Sequence, residues 1–200
     1  VGGCVRDSLL GKQPNDWDIT TSAKPEEVKA IFHRTIDTGI QHGTVTVLVD
    51  REILDDGSGS LASHTDYAFE VTTYRVDGVY TDHRRPESVC FTASLEEDLK
   101  RRDFTINAMA YNPEQGVIDI FSGQEDLEKG IIRCVGEASE RFDEDALRIL
   151  RAVRFAAQLD FVIENQTREA MRDQAKFLKD ISAERIQTEL VKMLISPHPE

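Results

Sequence analysis

Asp16 and Asp18 are the residues whose types and spacing best suit chemistry. They stand two apart in Asn15-Asp16-Trp17-Asp18-Ile19-Thr20, where Trp17 and Ile19 alternate with polar residues at the period of a strand. Side chains two apart on a strand share one face, so the two carboxylates are expected to point the same way, roughly 6 to 7 Å apart at Cα. Such a pair can hold hard divalent cations; a solvated strand face is the plain alternative. A third carboxylate, Glu70, lies in Tyr67-Ala68-Phe69-Glu70-Val71-Thr72-Thr73-Tyr74-Arg75 and could close the site if that strand neighbours the first.

Gly2-Gly3 with Arg6 supplies a second element. Exposed N–H groups at a helix start, together with a guanidinium, suit the phosphates of a nucleotide. Asp145 and Arg148 are read as three apart on one face of a long helix, a pair able to meet the hydrogen-bonding edge of cytosine or adenine. The competing reading is a helix salt bridge worth about 0.2 to 0.5 kcal/mol, with Glu144 to Arg148 at i, i+4 as its rival. Arg151 and Arg154 continue that ridge; they could instead lie along the helix surface. Arg101-Arg102-Asp103 with Asn107 suit phosphate and ribose hydroxyls, or form an ordinary capped amphipathic helix. His42 in Gln41-His42-Gly43-Thr44 reads as a turn histidine. No Ser-His-Asp nucleophile arrangement is visible.

The elements that must position these groups follow from pattern. A Gly-rich turn at Gly2-Gly3 feeds a short helix that Gly11 ends. Pro25 with Glu26 and Glu27 starts a helix running to about Phe32. Gly43 to Val49 and Tyr67 to Arg75 are β-branched and aromatic runs, most simply two antiparallel strands. Asp50 to Asp66 between them is expected to be a long hairpin loop. Arg84-Arg85-Pro86 marks irregular chain. Ser94 with Glu97 forms a capping box, starting a helix that continues or restarts through Ala110. Short strands at Val117 to Phe121 and Ile131 to Val135 flank a helix at Gln124 to Lys129. From about Glu140 the spacing of Leu147, Leu150, Val153 and Ala157 turns to continuous helix with no further strand. The expected division is an α/β unit over 1–137 and a helical unit over 138–200.

Composition bounds the classes. The 200 residues carry 24 Lys plus Arg against 37 Asp plus Glu, a formal charge of −13, which excludes a generic basic nucleic-acid binder. At 40% hydrophobic and 30% charged the chain is an ordinary globular one, and no apolar run approaches the roughly 18 residues needed to cross a bilayer. Cys4, Cys90 and Cys134 are odd in number and lack C-x-x-C spacing, so neither a disulfide framework nor a zinc site is suggested, and a reducing cytosol fits. Val1 leads straight into Gly2-Gly3, and the natural N-terminus is expected to lie upstream.

Taken in order, Val1-Gly2-Gly3-Cys4-Val5-Arg6-Asp7, Asn15-Asp16-Trp17-Asp18-Ile19, Thr38-Gly39 to His42-Gly43-Thr44, Phe69-Glu70-Val71-Thr72-Thr73-Tyr74-Arg75, Arg84-Arg85-Pro86, Arg101-Arg102-Asp103-Phe104-Thr105-Ile106-Asn107-Ala108 and Arg141-Phe142 to Arg148 with Arg151-Ala152-Val153-Arg154-Phe155 resemble bacterial CCA-adding enzymes, class II tRNA nucleotidyltransferases. The resemblance implies an α+β fold: a polymerase-β-like nucleotidyltransferase head with a mixed or antiparallel sheet, then an all-helical neck. It implies Asp16 and Asp18 on Mg²⁺ with Glu70 as third carboxylate, and Gly3 and Arg6 on the nucleotide phosphates. Arg102 would contact nucleotide, with Asp103 and Asn107 near the ribose. Asp145 and Arg148 would select C or A, steadied by Arg151 and Arg154. The implied partners are CTP, ATP and the tRNA 3′ end, in the cytoplasm, with no membrane and no obligate protein partner. Body and tail domains of the family are expected beyond residue 200. A poly(A) polymerase, an enzyme adding only A or only C, or a catalytically idle nucleotide-binding module are the alternatives.

Overall fold

A computed structural model describes residues 1–50, 67–78 and 88–199. The expected loop from Asp50 to Asp66, beyond Asp50 itself, and Arg84-Arg85-Pro86 lie outside the described residues. The chain opens with α1 (Gly3–Leu9), β1 (Asp18–Thr21), α2 (Pro25–Ile31), β2 (Thr35–Gly39), β3 (Thr44–Val49), β4 (Tyr67–Thr73), β5 (Arg75–Asp77) and β6 (Val89–Phe91). There follow α3 (Leu95–Lys100), β7 (Met109–Asn112), β8 (Gly116–Asp119), α4 (Gly123–Lys129), β9 (Ile131–Ile132), α5 (Ala138–Glu144), α6 (Leu147–Leu159), β10 (Val162–Ile163), α7 (Asn165–Gln174) and α8 (Ala183–Leu194).

The four-stranded sheet runs β1-β4-β3-β2, with β1 parallel to β4 and the other pairs antiparallel. Alternation separates its faces. Val45, Val47 and Val71 turn to one side and pack with Val28 of α2. The opposite face carries two rows set by register: Asp18, Glu70 and Thr46, then Thr20, Thr72 and Thr44. Pro25 occupies the first position of α2, and the Glu27 side chain accepts from the Lys24 backbone N–H at 2.7 Å, satisfying a donor the helix start leaves free. The Ser94 hydroxyl likewise accepts from Glu97 N at the head of α3.

Four sequence expectations fail here. β1 begins only at Asp18, so Asp16 is off the strand, in the bend that Pro14-Asn15 imposes. The helix from Ser94 stops at Lys100. Thr105–Asn107 form one 3₁₀ turn, and Met109–Asn112 form a strand paired with Gly116–Asp119, because Phe104, Ile106 and Met109 must all enter the core. Strands do not end at 137: Val162-Ile163 pair in parallel with Ile131-Ile132. Asp145 is not on the long helix. It caps the end of α5 in extended conformation, φ −145°, before α6 begins.

The main core joins Cys4 and Val5 of α1, Phe104, Ile106 and Met109, and Phe142, Ile149, Ala152 and Phe155 of the helical part. Residues from both sides of position 137 therefore share one apolar cluster. Among the described residues no helix is long and apolar enough to cross a membrane.

Candidate active site

Glu70 does neighbour Asp18. The two are direct register partners on adjacent parallel strands, which places their side chains on one face. Asp16, though off the strand, lines the same open cleft as Asp18, Glu70 and Thr46, a space of about 740 Å³. Among the described residues none of these three carboxylates has a hydrogen-bond or ion-pair partner, and all three residues are exposed. Free, same-sign oxygens on one face suit a hard divalent cation. Among the described residues no group of three His, Cys, Asp or Glu is placed to hold a metal ion.

Asp18 also borders a smaller cleft of about 180 Å³, shared with Thr20, Thr44, Thr72, Arg75, Arg101 and Arg102. The Gly2 turn reaches this cleft through Arg102. Gly2 has φ +78°, and a Cβ there would meet Arg102 Nη1 at 2.7 Å. Only glycine lets the turn and the guanidinium approach so closely. Arg102 itself donates to Asp98 Oδ2 at 3.4 Å. Burial pushes its pKa below the ordinary arginine value and Arg101 adds to this, while Asp98 and Asp103 oppose.

Five of the residues singled out in the sequence form one connected network. Arg6 Nη1 donates to Asn107 Oδ1 at 2.6 Å, Asn107 Nδ2 donates to Asp103 Oδ1 at 3.1 Å, and Arg151 Nε donates to Asp103 Oδ2 at 2.8 Å. Arg6, Arg151 and Arg154 all lie over the Phe155 ring, at 5.0, 5.4 and 4.0 Å from its centroid, where the negative face of the π-system attracts cations. Gly3 lies one turn before Arg6 in α1. Burial alone would raise the Asp103 pKa, but the Arg151 guanidinium, with the Asn107 hydrogen bond, holds it down at about 2. The same carboxylate raises Arg151 above its ordinary value. Arg154 does not lie along the surface: it is buried, bonded to Glu189 of α8 and to Gln158 Oε1 at 2.7 Å.

Asp145 and Arg148 are engaged elsewhere. Asp145 Oδ1 accepts from the Leu147 backbone N–H at 3.1 Å and Oδ2 from Arg185 Nη2 at 2.7 Å. Arg148 donates to the carbonyls of Arg141 at 3.1 Å and Arg101 at 3.0 Å, and to Glu144. The i, i+4 pair with Glu144 is thus present, and the Arg148 backbone N–H donates to the Asp145 carbonyl at 3.0 Å. His42 sits in a 3₁₀ turn, and its carbonyl accepts from Arg75 Nη1 at 2.6 Å. Sequence reasoning missed Asp98, Arg185 and Glu189, whose burial or pairing comes from distant chain. The i, i+4 spacing of Arg185 and Glu189 could have put those two on one helix face, but not shown their partners Asp145 and Arg154.

A mixed sheet with paired acids on its open face, a glycine turn beside them and a helical part packed on the same core define a polymerase-β-like nucleotidyltransferase head with a helical neck. Comparison narrows the class. A family described as the poly A polymerase head domain matches residues 1–133, and the chain belongs to it. A second, described as the probable RNA and SrmB-binding site of polymerase A, matches residues 160–200. A CCA-adding enzyme of Lactiplantibacillus plantarum is 54% identical over 199 residues, 100% of this chain and 45% of its own. One from Streptococcus pyogenes is 54% identical over 99% of this chain and 46% of its own. The solved Bacillus stearothermophilus CCA-adding enzyme in complex with CTP superposes with TM-score 0.84 at 47% identity, covering 99% of this chain and 44% of that one. The Thermotoga maritima CCA-adding enzyme complexed with tRNA gives TM-score 0.72 at 30% identity, over 100% and 43%. The chain spans about half the length of the curated relatives it matches. Membership implies use of a divalent metal ion.

Proposed function

We propose that this chain is the catalytic head, residues 1–137, and the neck, residues 138–200, of an enzyme that transfers nucleotides from CTP and ATP to the 3′-OH of tRNA, releasing pyrophosphate. The observation that carries the reading is the register partnership of Asp18 and Glu70 on the sheet face that opens beside the Gly2 turn and Arg102. Relatives that share half or more of these residues are CCA-adding enzymes, and solved neighbours hold CTP, ATP or tRNA. A cytoplasmic location accompanies this function.

Each group has a role in this reading. Asp16 and Asp18 hold Mg²⁺, with Glu70 as the third carboxylate. The ion supplies charge stabilisation at the phosphates and acidifies the attacking hydroxyl. Gly3, Arg6 and Arg102 orient the triphosphate. Asp103 and Asn107 face the ribose, and Arg151 and Arg154 keep the Phe155 stack rigid beside it. Asp145 and Arg148 meet the base edge: a carboxylate accepts from the exocyclic amine of C or A, and a guanidinium donates to ring acceptors. In this structure both are satisfied within the protein, so base reading requires Asp145 to leave Arg185 and Arg148 to leave Glu144. Attack in line on the α-phosphorus needs no covalent enzyme intermediate.

Product sequence tests the reading. The full-length protein is incubated with Mg²⁺ and tRNA lacking its 3′ CCA, offered CTP alone, ATP alone, or both. Two C residues from CTP and a complete CCA from both are the expected products. Runs of A from ATP alone would make it a poly(A) polymerase. Absence of pyrophosphate release in every arm would reduce it to a binding module.

A further inference from the structure

In the sequence Asp98 is one of three adjacent acids, Glu96, Glu97 and Asp98, of the kind that favour a helix start. In the structure it is 0% exposed, and its carboxylate collects five donors from three parts of the chain. Oδ1 accepts from Arg101 Nη2 at 2.8 Å, Arg101 Nε at 3.1 Å and the Arg75 backbone N–H at 3.3 Å. Oδ2 accepts from Arg102 Nη2 at 3.4 Å and, also at 3.4 Å, from the Thr20 hydroxyl, whose single hydrogen is shared with the Thr72 carbonyl at 3.2 Å. A carboxylate offers about four lone-pair directions, so this one is fully used. Every donor residue, Thr20, Arg75, Arg101 and Arg102, lines the small cleft beside Asp18.

We infer that Asp98 is a positioning residue that holds the guanidinium groups of Arg101 and Arg102 at the wall of that cleft, ready for the triphosphate of a nucleotide bound beside Asp18. The inference rests on the nucleotide-transfer reading above and adds to it a residue that never touches substrate. Three guanidinium groups lining one cleft repel one another while it is empty; Asp77 stands 3.5 Å from Arg75 and 3.8 Å from Arg101, and Asp98 is the carboxylate that offsets the repulsion between Arg101 and Arg102. Fixing two long side chains before the ligand arrives removes the ordering that binding would otherwise require. Arg102 also lies against the Gly2 turn, so its displacement would be felt there as well.

A mere link between α3 and the sheet would affect folding alone, and the experiment separates the two. Affinity for CTP and for CMP, each with Mg²⁺, is measured for wild type, Asp98→Asn, the pair Arg101→Met with Arg102→Met, and the combination of all three, with thermal midpoints alongside. Asp98→Asn is expected to bind CTP at least tenfold more weakly and CMP within twofold of wild type, and to add less than twofold once both arginines are gone. Equal losses for CTP and CMP, or a full tenfold loss persisting without the arginines, would overturn the inference. Should Asp98→Asn not fold, Thr20→Val removes one donor and no charge. About threefold weaker CTP binding then supports the positioning role, and unchanged binding overturns it. Wild type failing to bind CTP would overturn the nucleotide reading itself, whereas wild-type binding with no effect of Asp98→Asn would overturn only this inference.

Discussion

At the scale of single residues, the site divides into groups that are free and groups that are already spent. Asp16, Asp18 and Glu70 are exposed and unpaired among the described residues, so they cost folding little and are available to a cation. Asp18→Ala is therefore expected to leave the thermal midpoint nearly unchanged or slightly higher, because like charges on one strand face are relieved. Nucleotide transfer should fall far more than tenfold, since losing metal-held charge costs several kcal/mol and each 1.36 kcal/mol is a factor of ten. A rate above about a tenth of wild type would remove Asp18 from the metal role. Asp103 is the spent kind, and its lowered pKa is a stability statement. Its folded value near 2 lies below the ordinary 3.8, so the ionised form stabilises the fold above about pH 4. That contribution is lost as pH falls toward 2. At about 1.36 kcal/mol per unit the loss amounts to roughly 2 kcal/mol. Urea midpoints measured between pH 5 and 2 should fall more steeply in wild type than in Asp103→Asn, and parallel curves would contradict the assignment.

At the scale of elements, legibility depended on whether the signal was local. The α1 turn, β1, α2, β3 and β4 are readable because glycine, proline and alternation act within a few residues of one another, and Asp18 with Glu70 followed from them. Asp16 was misplaced by two residues because alternation extends as a pattern through Trp17, while the chain bends at Asn15 and Asp16 and the hydrogen-bonded ladder begins only at the Asp18–Glu70 pair. Ile131-Ile132 falls within the strand expected at Ile131 to Val135, whereas its partner Val162-Ile163 is too short to carry any period. The helix expected through Ala110 fails because Phe104, Ile106 and Met109, which helical spacing cannot put together, all reach the core through a 3₁₀ turn and a strand. Asp145 and Arg148 were placed on one helix because nothing in Asp143-Glu144-Asp145-Ala146 announces a break between α5 and α6. The glycine turn yields its own prediction. Gly2→Ala forces a Cβ at φ +78° to within 2.7 Å of Arg102 Nη1, so Arg102 must swing away. CTP affinity should drop about tenfold or more, whereas Gly116→Ala, also at positive φ but with nothing within 4 Å, should leave it unchanged. Equal CTP affinity in the two variants would show that the close approach does not matter.

At the scale of the whole molecule, the boundary near 137 is a change of texture but not of core. Phe104, Ile106 and Ile132 before it pack with Phe142, Ile149 and Phe155 after it, so removing the helices would strip the covering from several fully buried side chains. Deleting one buried aromatic costs about 3 to 5 kcal/mol, a large share of the roughly 5 to 15 kcal/mol that holds a domain together. The chain is expected to unfold in a single transition, with far-ultraviolet circular dichroism and Trp17 fluorescence coinciding, and residues 1–137 alone should not fold. Two separated transitions would contradict a shared core. Charge sets the remaining expectation. Acidic residues outnumber basic ones by 15 to 9 over 1–93 and by 22 to 15 over 94–200, and the arginines of the site are largely committed to Asp98, Asp103, Glu144 and Glu189. Few cations of the site are left to displace counterions from a phosphate backbone, and each phosphate neutralised contributes to affinity and to its salt dependence. The 200-residue chain should therefore bind CTP or ATP with Mg²⁺ yet hold tRNA weakly, and with few phosphates neutralised that weak affinity should fall less steeply with salt than the full-length protein's. Titrating tRNA into this chain and into the full-length protein at one salt concentration checks this. Equal affinities would show that the residues described are sufficient to grip the RNA, and that the arginine network opens to phosphate more readily than its buried pairings suggest.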